Sequence, residues 1–107
     1  MNYKTLTYLI CIALLVLSFQ QKETLPEGFV YAKQVIPDLD VELRYYSSNN
    51  FVGDTIDGYH ANKLILTAET AKKLKEVQDE LQRQNLCLKV YDGYRPQRAV
   101  NHFMRWA

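Results

Sequence analysis

The longest apolar segment of the chain lies near its N-terminus. Leu6 to Phe19 is nearly all apolar and follows the positive charge of Lys4. This pattern is typical of a secretory signal peptide, and the run is short for a membrane span, which needs about 20 apolar residues. We expect residues 1–22 to be a signal peptide cleaved between Ser18 and Lys22, and residues 23–107 to be exported to the periplasm or cell envelope. An uncleaved N-terminal anchor is the alternative.

Short apolar or alternating runs beyond this segment predict strands. Phe29–Ala32 is predicted to be an edge strand, and Leu86–Tyr91 a central strand. Asp40–Tyr45 alternates polar and apolar residues, which predicts a half-buried strand. Residues 47–58 are rich in Ser, Asn, Gly and Asp and predict a long surface loop.

Helical periodicity follows in two places. Thr67 is a suitable N-cap, and it precedes an apolar stripe at helical spacing formed by Ala71, Leu74, Val77 and Leu81. A second helix is predicted to begin at Pro96, with one apolar face formed by Ala99, Val100, Phe103, Met104 and Ala107. This order predicts an α+β fold with helices packed on a small, mostly antiparallel sheet. No element follows to cover the far side of that sheet, so we expect an incomplete domain.

Composition excludes some classes of function. The 107 residues suggest one domain at most. The 13 Lys and Arg are interleaved with 12 Asp and Glu, for a net charge of +1, which argues against a nucleic-acid partner. Beyond the signal, Cys87 is the only cysteine; it cannot form an internal disulfide and is expected to be buried as a small apolar residue.

Arg95 is the strongest candidate for chemistry. It stands between a predicted strand and the helix opened by Pro96, and the residue before a proline is pushed out of the α region. Arg95 should therefore lie in a turn at the positive end of a helix dipole, where a cation gains nothing. It needs another partner, which is either a nearby acid such as Asp92 or a ligand oxygen.

Other catalytic signals are weak. His60 and His102 have no second ligand at metal-binding spacing, whereas a catalytic zinc site needs three protein ligands. We therefore predict no metal site within this chain. Glycine-rich phosphate loops and G-x-S-x-G nucleophile elbows are also missing from the sequence.

One segment carries a family resemblance. Residues 92–100 read D-G-Y-R-P-Q-R-A-V and are followed by F-M-x-W-A at 103–107. Upstream, the pairs Arg44-Tyr45 and Asn50-Phe51 and the triplet at 57–59 occur in the matching order. This pattern resembles the D-alanyl-D-alanine dipeptidases, zinc peptidases of family M15, from about Val41 to the last residue.

The resemblance implies hydrolysis of the dipeptide D-Ala-D-Ala. In that family a zinc-bound water attacks the peptide carbonyl, a glutamate takes its proton, and the arginine of the Tyr-Arg-Pro turn stabilises the oxyanion. That arginine corresponds to Arg95. Tyr45, Asn50 and Phe51 are expected to line the substrate pocket.

The resemblance is incomplete in one respect. The family's S-x-H-x-x-G-x-A-x-D and E-x-W-H segments, which supply the zinc ligands and the base, do not occur here. We therefore expect an N-terminal portion of such a domain, inactive as 107 residues, with zinc bound only by the complete domain. Two alternatives remain open: a D,D-carboxypeptidase acting on peptidoglycan stems, and a non-catalytic module that binds cell-wall peptides.

Overall fold

The first helix of the chain stands apart from the core. In the computed structural model, which describes residues 1–18 and 24–107, helix α1 spans Tyr3–Ser18. All its side chains as far as Leu14 are exposed. No helix in the described part of the chain is long and apolar enough to cross a membrane. The predicted cleavage region falls almost entirely outside the described residues, so the signal peptide stays a prediction.

Seven further elements follow within residues 24–107. They are β1 (Phe29–Tyr31), α2 (Ala32–Val35), β2 (Asp40–Val41), β3 (Ile65–Thr67), α3 (Ala68–Gln82), β4 (Lys89–Val90) and α4 (Gln97–Trp106). Strands β1 and β3 pair antiparallel, with Phe29 opposite Thr67. Strands β2 and β4 pair in parallel, with Asp40 opposite Lys89. The α+β prediction is confirmed, but the strands form two separate pairs, of which only one is antiparallel.

Two strands are shorter than their patterns predicted: β2 ends at Val41 instead of Tyr45, and β4 covers only Lys89–Val90 of the predicted Leu86–Tyr91. The alternating segment that begins at Asp40 is a strand only as far as Val41, because the chain turns at residues 44–46. Backbone pairing nevertheless continues, since Arg44 N–H donates to the Tyr91 carbonyl over 3.2 Å. The turn carries Tyr45, whose ring centroid lies 5.2 Å from Arg95 Cζ in the segment that follows β4.

The apolar core is formed by side chains from α2, α3, the strands β2, β3 and β4, and the segments next to them. Its buried members are Ala32, Ile36, Leu39, Leu43 and Leu64. Six half-buried side chains pack around them: Val35, Val41, Leu66, Leu74, Leu88 and Val90. The core therefore fixes β4, which leads into the segment that carries Arg95, and β3, whose Ile65 carbonyl binds that segment.

Helix α3 begins as predicted, and its predicted face is covered at Ala71, which is buried, and at Leu74 and Leu81, which are half-buried. The Thr67 hydroxyl accepts from Thr70 N–H over 3.2 Å, which confirms the N-cap. Val77 is 47% exposed, so its predicted place in the core is wrong. Gln78 is buried as well; its Oε1 accepts from Leu88 N–H over 2.9 Å, and its Nε2 lies 3.2 Å from Cys87 Sγ. Cys87 itself is exposed, contrary to expectation.

Helix α4 is only partly covered. Ala99 is fully buried and Phe103 is half-buried, as their shared face predicted. Val100 and Met104, predicted on the same face, are 38% and 74% exposed. The covered face of α4 is therefore narrower than the predicted one and is centred on Ala99 and Phe103.

Candidate active site

The segment after β4 is fixed by close packing at Gly93. Tyr94 N–H donates to the Ile65 carbonyl over 2.8 Å, which ties the segment to β3. A Cβ atom at Gly93 would lie 2.5 Å from Leu64 Cδ1 and 2.7 Å from the Ile65 carbonyl oxygen. Only a glycine allows residue 93 to lie this close to Leu64 and Ile65. This contact fixes the position of the segment after β4 that carries Arg95.

The Arg95–Pro96 step forms the turn expected from the sequence. Pro96 is the N-cap of α4 in extended conformation, φ −67° and ψ 150°, so the helix begins one residue later than predicted, at Gln97. Arg95 is non-helical and directly precedes the cap. Its side chain is thus held at the junction of strand and helix.

The guanidinium of Arg95 is bound by Asp92. Nε and Nη2 donate to the same oxygen, Oδ2, over 3.2 and 2.8 Å. The other oxygen, Oδ1, accepts from the Tyr59 hydroxyl over 3.1 Å. The hydrogen bond with Asp92 raises the pKa of Arg95 further above its ordinary value. Of the two partners considered from the sequence, the acid is therefore present; the side chain is still 42% exposed, which leaves room for a ligand as well.

Two aromatic rings flank the same guanidinium. Arg95 Cζ lies 5.2 Å from the ring centroid of Tyr45 and 5.3 Å from that of Phe103, within cation–π range. The Tyr45 and Phe103 rings are themselves 5.0 Å apart, and Phe51 lies 5.2 Å from Phe103. Trp106 extends the group at 5.2 Å from Phe51. Together with Tyr59, which contacts Tyr45 at 5.9 Å, these five rings form an aromatic cluster beside Arg95.

Asn50 organises the loop that carries Phe51. Its Nδ2 donates toward the carbonyls of Arg44, Ser47 and Asp54 over 3.1, 2.8 and 2.8 Å, and its Oδ1 accepts from Val52 N–H over 2.9 Å. Both the Nδ2 donor and the Oδ1 acceptor of Asn50 are therefore bonded to backbone groups of the loop. Tyr45 and Phe51 are brought together with Arg95, whereas Asn50 acts on them through the backbone; a substrate contact for any of the three stays a prediction.

The same loop is anchored to α4. Asp57 N–H donates to His102 Nδ1 over 3.1 Å, and Arg105 Nη2 donates to Asp57 Oδ2 over 2.7 Å. Gly58, at φ +94°, packs so closely that a Cβ there would lie 2.9 Å from Pro96 Cγ. His102 thus has a structural partner, and His60 is exposed. Within residues 1–18 and 24–107, no three His, Cys, Asp or Glu side chains come together as a metal would require.

Comparison with known proteins places this arrangement in a family. Residues 26–107 match the family model described as D-ala-D-ala dipeptidase of peptidase family M15. The chain belongs to this family. It is similar to the D-alanyl-D-alanine dipeptidase of Enterococcus faecium, with 36% identity over 80 residues that make up 75% of this chain and 40% of the relative. The Streptomyces coelicolor enzyme of the same name is 33% identical over 79 residues, 74% of this chain and 39% of the relative. The chain spans about 40% of the length of these curated relatives.

Sequence reasoning named Asp92 as a possible partner of Arg95 but did not place Tyr59 or Phe103 in the site of this dipeptidase-family chain. Tyr59 and Asp92 complete the hydrogen-bonded group around Arg95, and Phe103 covers one side of it. A cavity of about 200 Å³ opens beside this group and is lined by both Tyr59 and Asp92. The D-G-Y triplet at 57–59 and the D-G-Y-R run at 92–95 carried the signal, but nothing in the sequence says that the two triplets meet.

Tyr59 gives the dipeptidase-family site a dependence of stability on pH. Burial, followed by the negative charge of Asp92, raises the pKa of Tyr59 from 10.0 to about 12. Between these values the folded chain keeps a proton that the unfolded chain has released. The stabilising contribution is therefore fully present below about pH 10 and is lost as the pH rises toward 12.

We expect this loss to appear in unfolding measurements. The free energy of unfolding, from urea titrations between about pH 8 and about pH 11, should fall more steeply for the chain than for Tyr59→Phe, which has no proton to release. Tyr46→Phe, at a ring that is 41% exposed, serves as the control and should follow the unmodified chain. Parallel curves for the chain and Tyr59→Phe would show that Tyr59 titrates normally.

Proposed function

We propose that this chain contributes the oxyanion-stabilising side of an active site that hydrolyses D-alanyl-D-alanine. The observation that carries the proposal is the state of Arg95. One edge of its guanidinium is bound to Asp92, its faces are flanked by Tyr45 and Phe103, and its side chain is 42% exposed beside the cavity-lining Asp92. A charged donor held this rigidly is suited to an oxygen whose charge appears only during the reaction.

The chemistry assigned to Arg95 is electrostatic. When the peptide carbonyl is attacked, its oxygen takes on negative charge, and an N–H of Arg95 donates to it. Donors of this kind are commonly worth about 3–4 kcal/mol. Because the Asp92 hydrogen bonds fix the guanidinium before the substrate arrives, little reorganisation is needed at that moment. Tyr45 and Phe51 would form the apolar wall that faces the alanine methyl groups.

The family resemblance implies zinc, and the described residues of this chain do not fit it. No three candidate ligands come together in residues 1–18 and 24–107, and His102 Nδ1 already accepts from Asp57 N–H. We assign no metal ligand and no general base to this chain. In this proposal both belong to the part of the family domain that the 40% coverage of the relatives leaves unmatched.

The test compares the chain alone with a joined enzyme. The 107-residue chain with added zinc should release no D-alanine from D-Ala-D-Ala, because no described residues provide the metal site. The joined enzyme carries residues 26–107 followed by the segment of the Enterococcus faecium relative that lies beyond its region of similarity. It should release D-alanine, and chelation should abolish the release.

Two outcomes would contradict this proposal. Turnover by the chain alone, lost on chelation, would mean that a metal site exists within it. A folded joined enzyme that cleaves peptidoglycan stem peptides but not the free dipeptide would favour a D,D-carboxypeptidase.

We further propose that the chain is exported. Lys4 and the apolar run from Leu6 to Phe19 support this, and the exposed side chains of α1 are consistent with a segment that does not belong to the core. A reporter active only outside the cytoplasm should be active when fused after residue 30. A silent reporter that is well expressed would count against a signal peptide.

A further inference from the structure

We infer that Tyr59 is a positioning residue for Arg95 and acts through Asp92. The Tyr59 hydroxyl donates to Asp92 Oδ1, while Arg95 donates twice to Asp92 Oδ2. The two oxygens of one carboxylate are thus divided between a tyrosine on the loop and the arginine of the turn. This inference rests on the proposed role of Arg95.

Because each oxygen of the Asp92 carboxylate has a different partner, the rotation of the carboxylate is fixed. A terminal carboxylate torsion is broad and roughly two-fold, so Asp92 alone would hold the arginine in more than one orientation. The Tyr59 bond to Oδ1 removes that freedom, and the side chain of Asp92 is only 22% exposed, which limits competition from water. The direction of the Arg95 fork therefore depends on the Tyr59 hydroxyl, which binds the other oxygen of the same carboxylate.

The ring of Tyr59 is held by the group that it orients. It contacts Tyr45 at 5.9 Å, and Tyr45 lies 5.2 Å beneath the Arg95 guanidinium. The contacts close a circuit from Tyr59 through Asp92 and Arg95 to Tyr45 and back. A shift of Tyr59 consequently disturbs both the carboxylate and one of the rings that flank the arginine.

The backbone just before Tyr59 is tied to Pro96 and to the helix that follows it. Gly58 packs against Pro96, and Asp57 binds His102 and Arg105 on α4. These contacts fix the distance between the loop and the turn. They explain how a residue 33 positions away from Asp92 presents its hydroxyl at hydrogen-bond distance.

The first test measures the order of Arg95 in the 107-residue chain itself. The Nε–H signal of Arg95, assigned by its absence from Arg95→Lys, should exchange slowly with solvent. In Tyr59→Phe, which keeps the ring and removes the hydroxyl, exchange should be about 3- to 10-fold faster, as expected for one lost hydrogen bond. Tyr46→Phe should leave the signal unchanged. An unchanged Arg95 signal in Tyr59→Phe would overturn the inference.

The second test uses the joined enzyme. Tyr59→Phe should lower kcat by about 10-fold and change KM less than about 2-fold, because a misdirected donor weakens the transition state more than the bound substrate. Combining Tyr59→Phe with Asp92→Ala should give an enzyme no slower than Asp92→Ala alone, since Asp92→Ala already removes the hydrogen bond through which Tyr59 positions Arg95. Effects that multiply would show that Tyr59 acts independently and would overturn the inference.

The same enzymes separate this inference from the proposed function. If Arg95→Ala retains normal turnover, the proposed role of Arg95 has failed, whatever Tyr59 does. If Arg95→Ala is inactive while Tyr59→Phe is unaffected in kcat, the role of Arg95 stands and the positioning role of Tyr59 is wrong.

Discussion

Arg95→Ala is expected to lower the turnover of the joined enzyme by a factor of about 100 or more, with its zinc content unchanged. The loss follows from removing a charged donor that Asp92 holds in place before the substrate binds. Steady-state release of D-alanine, together with metal analysis of the same samples, measures both quantities.

Two further variants define what the arginine supplies. Arg95→Lys should also lose most of the activity, because a lysine keeps the charge but lacks the planar fork that donates twice to Asp92 Oδ2. Arg98→Ala is the matched control, since Arg98 is exposed three residues further along, on the first turn of α4. If Arg95→Ala kept near-normal turnover but unfolded several degrees lower, the arginine would be only a structural partner of Asp92.

Gly93→Ala is expected to destabilise the chain by about 1–3 kcal/mol, the usual cost of overpacking. The new methyl group would lie 2.5 Å from Leu64 Cδ1 and 2.7 Å from the Ile65 carbonyl oxygen, and the second of these is backbone that cannot move alone. Thermal unfolding should shift downward by roughly 4–8 °C for each kcal/mol.

Gly53→Ala is the control for this substitution. Gly53 has φ +80°, but nothing lies within 4 Å of the added carbon. Its cost should come from the left-handed backbone alone, about 1–2 kcal/mol, and the β3 contact to Tyr94 should be unaffected. A Gly93→Ala chain with unchanged melting would mean that the turn and β3 are packed less closely than described.

The elements set by local physics could be predicted from the sequence. Thr67 caps α3, and Pro96 places Arg95 outside the helix, because both effects depend on neighbouring residues alone. The short strands could not be predicted in length. Alternation from Asp40 onward shows which side chains can be buried, but not that the chain turns at residue 44.

Contacts between residues far apart in the sequence could not be predicted from its patterns. Gln78 is a polar residue on a helix, and its burial depends on the hydrogen bond that its Oε1 accepts from Leu88 N–H. The aromatic cluster combines rings from the loop, the turn at residue 45 and α4. Tyr59 reaches Asp92 across 33 residues. The sequence identified Arg95 and offered Asp92 as one of two possible partners, but only the folded chain shows that Asp92, Tyr45 and Phe103 surround it.

The affinity of the joined enzyme for a transition-state analogue tests the role of Arg95 most directly. The probe is a D-Ala-D-Ala analogue in which a tetrahedral phosphinate replaces the peptide group and carries the charge of the oxyanion. If Arg95 stabilises the transition state, Arg95→Ala should raise the inhibition constant of the analogue by about 100-fold or more. This is about the factor by which kcat/KM should fall, while KM for D-Ala-D-Ala changes far less. An analogue that binds Arg95→Ala as tightly as the unsubstituted enzyme, while turnover falls, would contradict the assignment.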